Sequence, residues 1–200
     1  MSEVKKSNEV TEQAASPAGA GKPGSRNYTR ALTTTALMVA LAMILDQIKL
    51  FEMPQGGSVT LFGTLPIIAL GYLLGTRWGV LGGTVTGILN LIFGGYVIHP
   101  VQLFLDYILA FAVMGLSGLV RDKKNGLTKG YILGVFCRYI CAVLSGVVFF
   151  GEYAPEGFSA LTWSLWYNIT YLAVEGVMTI IVINIPAVKK LFVSLRSQLA

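Results

Sequence analysis

Polar positions dominate the chain as far as residue 27, and apolar positions dominate from there almost to the end. The apolar positions fall in six runs, near 29–50, 60–76, 78–95, 100–120, 130–151 and 160–184. Each is roughly the ~20 residues that a helix needs to cross a bilayer. The breaks are MPQGGS (53–58), TRW (76–78), GGYVIHP (94–100), RDKKNGLTK (121–129) and EYAPEGFS (152–159). The pattern predicts an all-α, polytopic membrane protein, a bundle of six transmembrane helices. Residues 1–27 are expected to be a disordered tail, 28–186 the membrane domain, and 187–200 a basic C-terminal tail.

Composition agrees with that reading. Hydrophobic residues make up 54% of the chain and charged residues 12%, against about 25% charged in soluble domains. The mean hydropathy is +0.66. The polar leader has too few apolar residues to offset its chain entropy, and its GAGKPGS run lacks the spacing of a phosphate loop. It also has no apolar core followed by a cleavage site, so no signal peptide is expected.

The net charge of +5 is a topology signal and not a nucleic-acid patch. With the N-terminus inside, every Lys and Arg except Lys49 and Arg138 falls on the inner side. The positive-inside rule then places both termini in the cytoplasm of a cell-membrane protein. The connections rich in Gly, Pro and aromatic residues face outward, which suggests a site open to the outside. Cys137 and Cys141 sit four apart in one apolar run and read as packing residues. Metal ligation would want further ligands.

Candidate chemistry gathers in the later segments. His99, Gln102 and Asp106 follow i, i+3, i+7 spacing, one stripe of a helix, with Tyr107 beside the carboxylate. A carboxylate inside a membrane helix costs roughly 2.5–3.5 kcal/mol on insertion scales, so it is expected to be paired, to line a cavity or to serve function. His99, before Pro100, reads as a helix-entry residue. The fifth segment carries Arg138, Ala142, Gly146 and Phe150 four apart, and the sixth carries Trp163, Tyr167 and Tyr171 four apart with Asn168 and Glu175. Arg138 and Glu175 fall at similar depth and are expected to form a structural ion pair, since each alone is costly. In the first segment Ala36, Ala40 and Ala42 make a small-residue ridge, open either to packing in the bundle or to docking of a partner.

These residues together resemble the thiamine-specific substrate-binding (S) components of energy-coupling factor (ECF) transporters. The resemblance covers roughly residues 30–185. It is carried by MPQGGSVTL (53–61) with the following Leu65-Pro66, GGYVIHPVQLFLDY (94–107), Arg138-Tyr139, SGVVFFGEYAPEG (145–157) and SLWYN (164–168). It implies six helices around a vitamin pocket near the outer surface, closed by the loop after the first helix. It places the pocket carboxylate on Asp106, tyrosines on Tyr96 and Tyr107, the glycine on Gly146, the aromatics on Phe150 and Trp163, and the amide on Asn168. The docking alanines of the first helix fall on Ala36, Ala40 and Ala42. Two positions depart from the pattern: Ala142 stands where the family has a histidine, and Phe150 where tryptophan is commoner.

The implied chemistry suits thiamine, a cation with two flat rings and a hydroxyl arm. A carboxylate attracts its charge in low dielectric, and aromatic faces attract a ring-borne cation. The expected activity is capture of thiamine from outside and delivery through an ATP-driven complex, with no cofactor and no catalytic residues. The partners implied are a coupling membrane subunit and two ATPase subunits, since the chain has no nucleotide motif of its own. Two alternatives stand beside it: an S component for a related pyrimidine or thiazole compound, and an ion-coupled transporter acting alone through Asp106 or Glu175. An intramembrane enzyme lacks any nucleophile–base arrangement or metal motif. Taking Asp106 as the pocket's only charge, the reading disfavours phosphate esters.

Overall fold

Among the described residues, four helices are long and apolar enough to cross a membrane: Asn27–Gln47, Pro100–Val120, Gly126–Phe149 and Ala160–Asn184. They belong to a computed structural model that describes residues 23–54 and 56–199. Most of the expected polar leader, residues 1–22, therefore lies outside the described residues. Ala31–Ala200 form one compact unit, which holds every contact discussed below.

The helices are α1 (Pro23–Gln47), α2 (Leu65–Leu74), α3 (Thr76–Ile92), α4 (Pro100–Val120), α5 (Gly126–Phe149), α6 (Ala160–Asn184) and α7 (Pro186–Leu199). Each of the six apolar runs falls on one of α1–α6. The second run departs most from a membrane span. Its helix has only 10 residues, about 15 Å at 1.5 Å per residue. Pro66 through Leu73 are all buried there, as expected of a helix that is apolar all round. Ile67, Ile68, Tyr72 and Leu73 form the core with Phe111, Met114, Leu127, Tyr131 and Ile183.

The all-α expectation missed one feature. Between α1 and α2 the chain makes an antiparallel hairpin of β1 (Lys49–Glu52) and β2 (Ser58–Thr60), pairing Lys49 with Thr60, Phe51 with Val59 and Glu52 with Ser58. Its turn takes up the MPQGGS break, where Met53 N–H donates to the Gly57 carbonyl at 2.7 Å. Gly56 has φ +86°, a conformation that favours glycine.

α3 and α4 approach through glycine. Gly79, Gly83 and Gly87 lie four apart on α3, one ridge of a helix. A Cβ at Gly83 would stand 2.2 Å from the Phe111 carbonyl oxygen, and one at Gly87 2.1 Å from that of Tyr107. From the α4 side, a Cβ at Gly115 would stand 2.1 Å from the Val80 nitrogen. Small residues of this kind let membrane helices meet backbone to backbone. α4 is not a regular α-helix along its length. It runs as π-helix over Phe104–Leu109 and tightens to a 3₁₀ helix over Val113–Val120.

The ridge expected on α1 splits. Ala36 and Ala40 are exposed beside Leu37 and Leu41, whereas Ala42 is 1% exposed and belongs to the core. Two residues beyond Ala40 is about half a turn of helix. Ala42 therefore cannot share a docking face with the other two.

The glycine contact is directly testable. Gly87→Ala should destabilise the solubilised protein by about 1–3 kcal/mol, the usual range for overpacking. Gly176→Ala, where an added Cβ meets nothing within 4 Å, should be neutral or stabilising by up to ~1 kcal/mol. Thermal unfolding followed by size-exclusion chromatography measures both, and equal behaviour of the two variants would refute the backbone contact.

Candidate functional site

A cavity of about 230 Å³ lies between the hairpin turn and the adjoining ends of α3–α6. All seven residues proposed from sequence as ligand contacts line it: Tyr96, Asp106, Tyr107, Gly146, Phe150, Trp163 and Asn168.

Asp106 sits in the π-helical part of α4, a kind of distortion often found at functional sites. Its Oδ2 accepts from Gln102 Nε2 at 2.7 Å and from Ser145 Oγ at 2.9 Å. Oδ1 takes neither bond. Gln102, 2% exposed, also donates to the Tyr96 carbonyl at 3.1 Å and accepts from the Ile98 N–H at 3.2 Å. Tyr107 is held from the same loop, its hydroxyl accepting from the Tyr96 N–H at 2.7 Å. The GGYVIHP connection is thus fastened to the carboxylate through Gln102. His99 stands apart from the cavity: its Nδ1 caps α4 by accepting from the Val101 N–H at 3.1 Å, and its ring stacks on Phe149 at 5.0 Å.

α5 and α6 form the facing wall. Arg138, Ala142, Gly146 and Phe150 all line the cavity, so the four-residue stripe of α5 is a site face as well as a packing face. A Cβ at Gly146 would stand 2.1 Å from Ser164 Oγ, which donates to the Val143 carbonyl at 2.9 Å. This close approach positions Asn168. Its Nδ2 donates to the Ser164 carbonyl at 2.9 Å, and its Oδ1 accepts from the Tyr171 hydroxyl at 2.8 Å. The rings continue in series: Trp163 to Tyr167 and Tyr167 to Tyr171 are each 6.0 Å apart, and Phe150 is 6.2 Å from Tyr96.

The expected ion pair does not form. The Glu175 carboxylate accepts from Thr60 N–H and Oγ1 at 3.1 and 2.9 Å, and from Thr64 N–H and Oγ1 at 3.3 and 2.8 Å. Those four donors satisfy its charge without a cation. Arg138 instead lies over the Phe111 ring, 4.5 Å from its centroid, and its Nη1 approaches Met114 Sδ at 3.9 Å.

The cavity also holds charges that sequence reading left out. Asp46, Lys49 and Arg138 line it with Asp106, so the argument against phosphate esters from a lone carboxylate loses its premise. Asp46 shows the same signal that singled out Asp106, a carboxylate inside an apolar run, but at the run's end it reads as a boundary. Asn90 joins the wall from α3. The loop reaches the cavity through Gly57, whose N–H donates to the Tyr167 hydroxyl at 3.1 Å. A Cβ there would stand 2.7 Å from the Tyr171 ring.

Fold and site together define a membrane-embedded binding protein: apolar helices, an aromatic and polar cavity at one end, and a hairpin turn in its wall. Residues 32–194 match the family described as thiamine transporter protein, and the chain belongs to that family. It is 38% identical to the thiamine transporter ThiT of Bacillus subtilis (strain 168), across 76% of this chain and 87% of that protein. It is 34% identical to ThiT of Lacticaseibacillus paracasei, across 76% of this chain and 83% of that protein. A solved structure of ThiT from Listeria monocytogenes superposes with a TM-score of 0.69 at 25% identity, covering 82% of this chain and 98% of that one. The family is one of transporters, not of enzymes.

Removing the Glu175 charge should release the hairpin. In Glu175→Gln the new amide places two hydrogens among four donors, costing about 1–3 kcal/mol for the unmet bonds. Thermal unfolding should register that loss, and proteolysis should cut first between residues 49 and 60. An unchanged midpoint and cleavage pattern would show that Glu175 does not hold the hairpin.

Proposed function

We propose that this chain captures thiamine in the cavity between the hairpin and α3–α6, and serves as the substrate-binding S component of an ECF transporter. The observation that carries this reading is the convergence of Asp106, the aromatic series and Asn168 on one cavity, in a chain of the thiamine transporter protein family. Asp106, with Oδ2 held by Gln102 and Ser145, offers Oδ1 to the thiazolium charge. Trp163, Tyr167 and Phe150 supply faces for the two rings. A cation over such a face gains about 0.5–2 kcal/mol. Asn168 and the tyrosine hydroxyls hydrogen-bond the aminopyrimidine and the hydroxyl arm.

On this reading α1–α6 all contribute to the membrane-embedded bundle, both termini are cytoplasmic and the cavity faces outward. The basic connections and α7 then lie inside, in keeping with the positive-inside rule. The hairpin turn is the lid: with Gly57 bonded to Tyr167, a ligand beneath it is shielded from water. Energy for delivery comes from two ATPase subunits through a coupling membrane subunit. Ala36 and Ala40, exposed on α1 beside Leu37 and Leu41, form the docking face for that subunit. Capture itself uses no catalytic residue, cofactor or metal.

Titration of the purified protein with thiamine, followed by tryptophan quenching, tests the assignment. Saturable quenching is expected, weakened roughly 10- to 100-fold in Asp106→Asn by loss of a charge-assisted contact of ~1.5–3 kcal/mol. Absence of quenching by thiamine, with a response to a pyrimidine or thiazole fragment, would retain the fold and overturn the substrate. Ala142 lines the cavity where the family has a histidine. Ala142→His should therefore tighten thiamine binding by roughly tenfold, the worth of one added polar contact of ~1.4 kcal/mol. Weaker binding in that variant would mean that the cavity is shaped around the alanine.

A further inference from the structure

The far ends of α4–α6 enclose a second cavity, of about 130 Å³, under helix α7. α6 stops at Asn184, Ile185 leaves the helical region (φ −58°, ψ 128°), and α7 begins at Pro186. One face of α7 packs inward: Phe192, Leu195 and Leu199 lie against the core that contains Tyr72 and Leu127. Arg196 pins the helix more firmly. Its guanidinium lies over the Tyr72 ring at 5.0 Å and donates to the Arg121 carbonyl and the Asp122 carboxylate. Lys189 Nζ donates to Asn125 Oδ1 at 2.7 Å. The 187–200 segment, expected as a basic tail, thus builds a walled site with the α4–α5 connection.

The walls of this cavity carry Arg121, Lys123, Lys189 and Arg196 against the single carboxylate of Asp122. Arg121 and Arg196 both interact with that one carboxylate, so the basic charge exceeds what it can neutralise. Asn125 and Thr128 add neutral polar groups. The first turn of α5, which opens here without a side-chain cap, adds further N–H donors.

We propose that this cavity is a binding site for a phosphate-bearing anion, distinct from the thiamine cavity. Two sources share that chemistry, a phospholipid headgroup and free phosphate. The outward side of α7 favours the lipid: Leu191 is exposed there beside Lys190, as in a helix lying in a membrane interface. Basic pockets among helix ends are a known way of holding anionic headgroups. Bound there, the phosphate bridges Lys189 of α7 to Lys123 of the α4–α5 connection and fixes α7 against the bundle.

The test uses the full chain in detergent and the Lys123→Gln/Lys189→Gln double variant, with a monodisperse size-exclusion profile as the check on folding. Native mass spectrometry compares retention of phosphatidylglycerol with phosphatidylcholine of the same acyl chains. Thermal unfolding compares inorganic phosphate with chloride at equal ionic strength. Preferential retention of phosphatidylglycerol, falling about 25-fold in the variant at about fivefold per lysine, supports the site with lipid as its source. Stabilisation by inorganic phosphate in the wild type but not in the variant supports it with a free anion as its source. Equal retention of both lipids and no phosphate effect, or the same response in wild type and variant, overturns the proposal. Either result leaves the thiamine reading to stand or fall on its own titration.

Discussion

The carboxylate of Glu175 joins two parts of the chain that nothing local would bring together. It accepts from both the amide and the hydroxyl of Thr60 and of Thr64, one at the end of the hairpin and the other at the entry to α2. A buried carboxylate is tolerated only where donors or cations compensate it, and here the donors are fixed by the backbone they belong to. The constraint works in both directions. Glu175 is affordable in α6 because the hairpin returns to it, and the hairpin is registered because Glu175 waits there. Tyr167, Tyr171 and Glu175 lie four apart, so one stripe of α6 meets Gly57, Thr60 and Thr64 in succession. The hairpin and the cavity wall are therefore parts of a single contact.

A second constraint acts from the opposite side. The glycine ridge of α3 brings its backbone against the carbonyls of Tyr107 and Phe111, the stretch where α4 is π-helical or has just left that form. A π turn carries one more residue per hydrogen-bonded loop than an α turn and so changes which side chains share a face. Gln102 and Asp106 stay on one side and bond to each other. His99 leaves that side for a different reason: it precedes the helix with extended backbone (φ −152°, ψ 142°), caps it and turns away to Phe149. The spacing of 99, 102 and 106 alone would have placed all three together.

Six apolar runs were legible in the sequence because they rest on run length, and the cavity residues because Asp106 interrupts an apolar segment and the family resemblance places the others. What stayed hidden rests on contacts distant in sequence. Arg138 and Glu175 have matching depths, but depth does not say which donors reach a carboxylate first, and the two threonines lie more than a hundred residues away. The glycine ridge of α3 was equally present as a pattern, yet its importance depends on the partner helix. Ala42 shows the converse error, a residue grouped by type whose angular position sends it to the core. The C-terminal segment reads as a basic tail by composition. Its apolar positions 188, 192, 195 and 199 recur at helical spacing, and this signal identifies α7 once charge is set aside.

The distribution of charge in the cavity bears on selectivity. Arg138 lines the cavity with two carboxylates, Asp46 and Asp106. Yet no ion pair with either of them occurs among the described residues. Asp106 is held by neutral donors, Gln102 and Ser145, which fix its position without cancelling its charge. A carboxylate in that state gains most from an arriving cation, because the attraction is not already spent on a fixed partner. A carboxylate locked to Arg138 would present a neutral pair, and the ligand would have to break it before binding. By taking the Phe111 face and the Met114 sulfur, Arg138 leaves the Asp106 carboxylate unpaired and available. On the thiamine reading, the absence of the expected ion pair is what allows the cavity to select a cation.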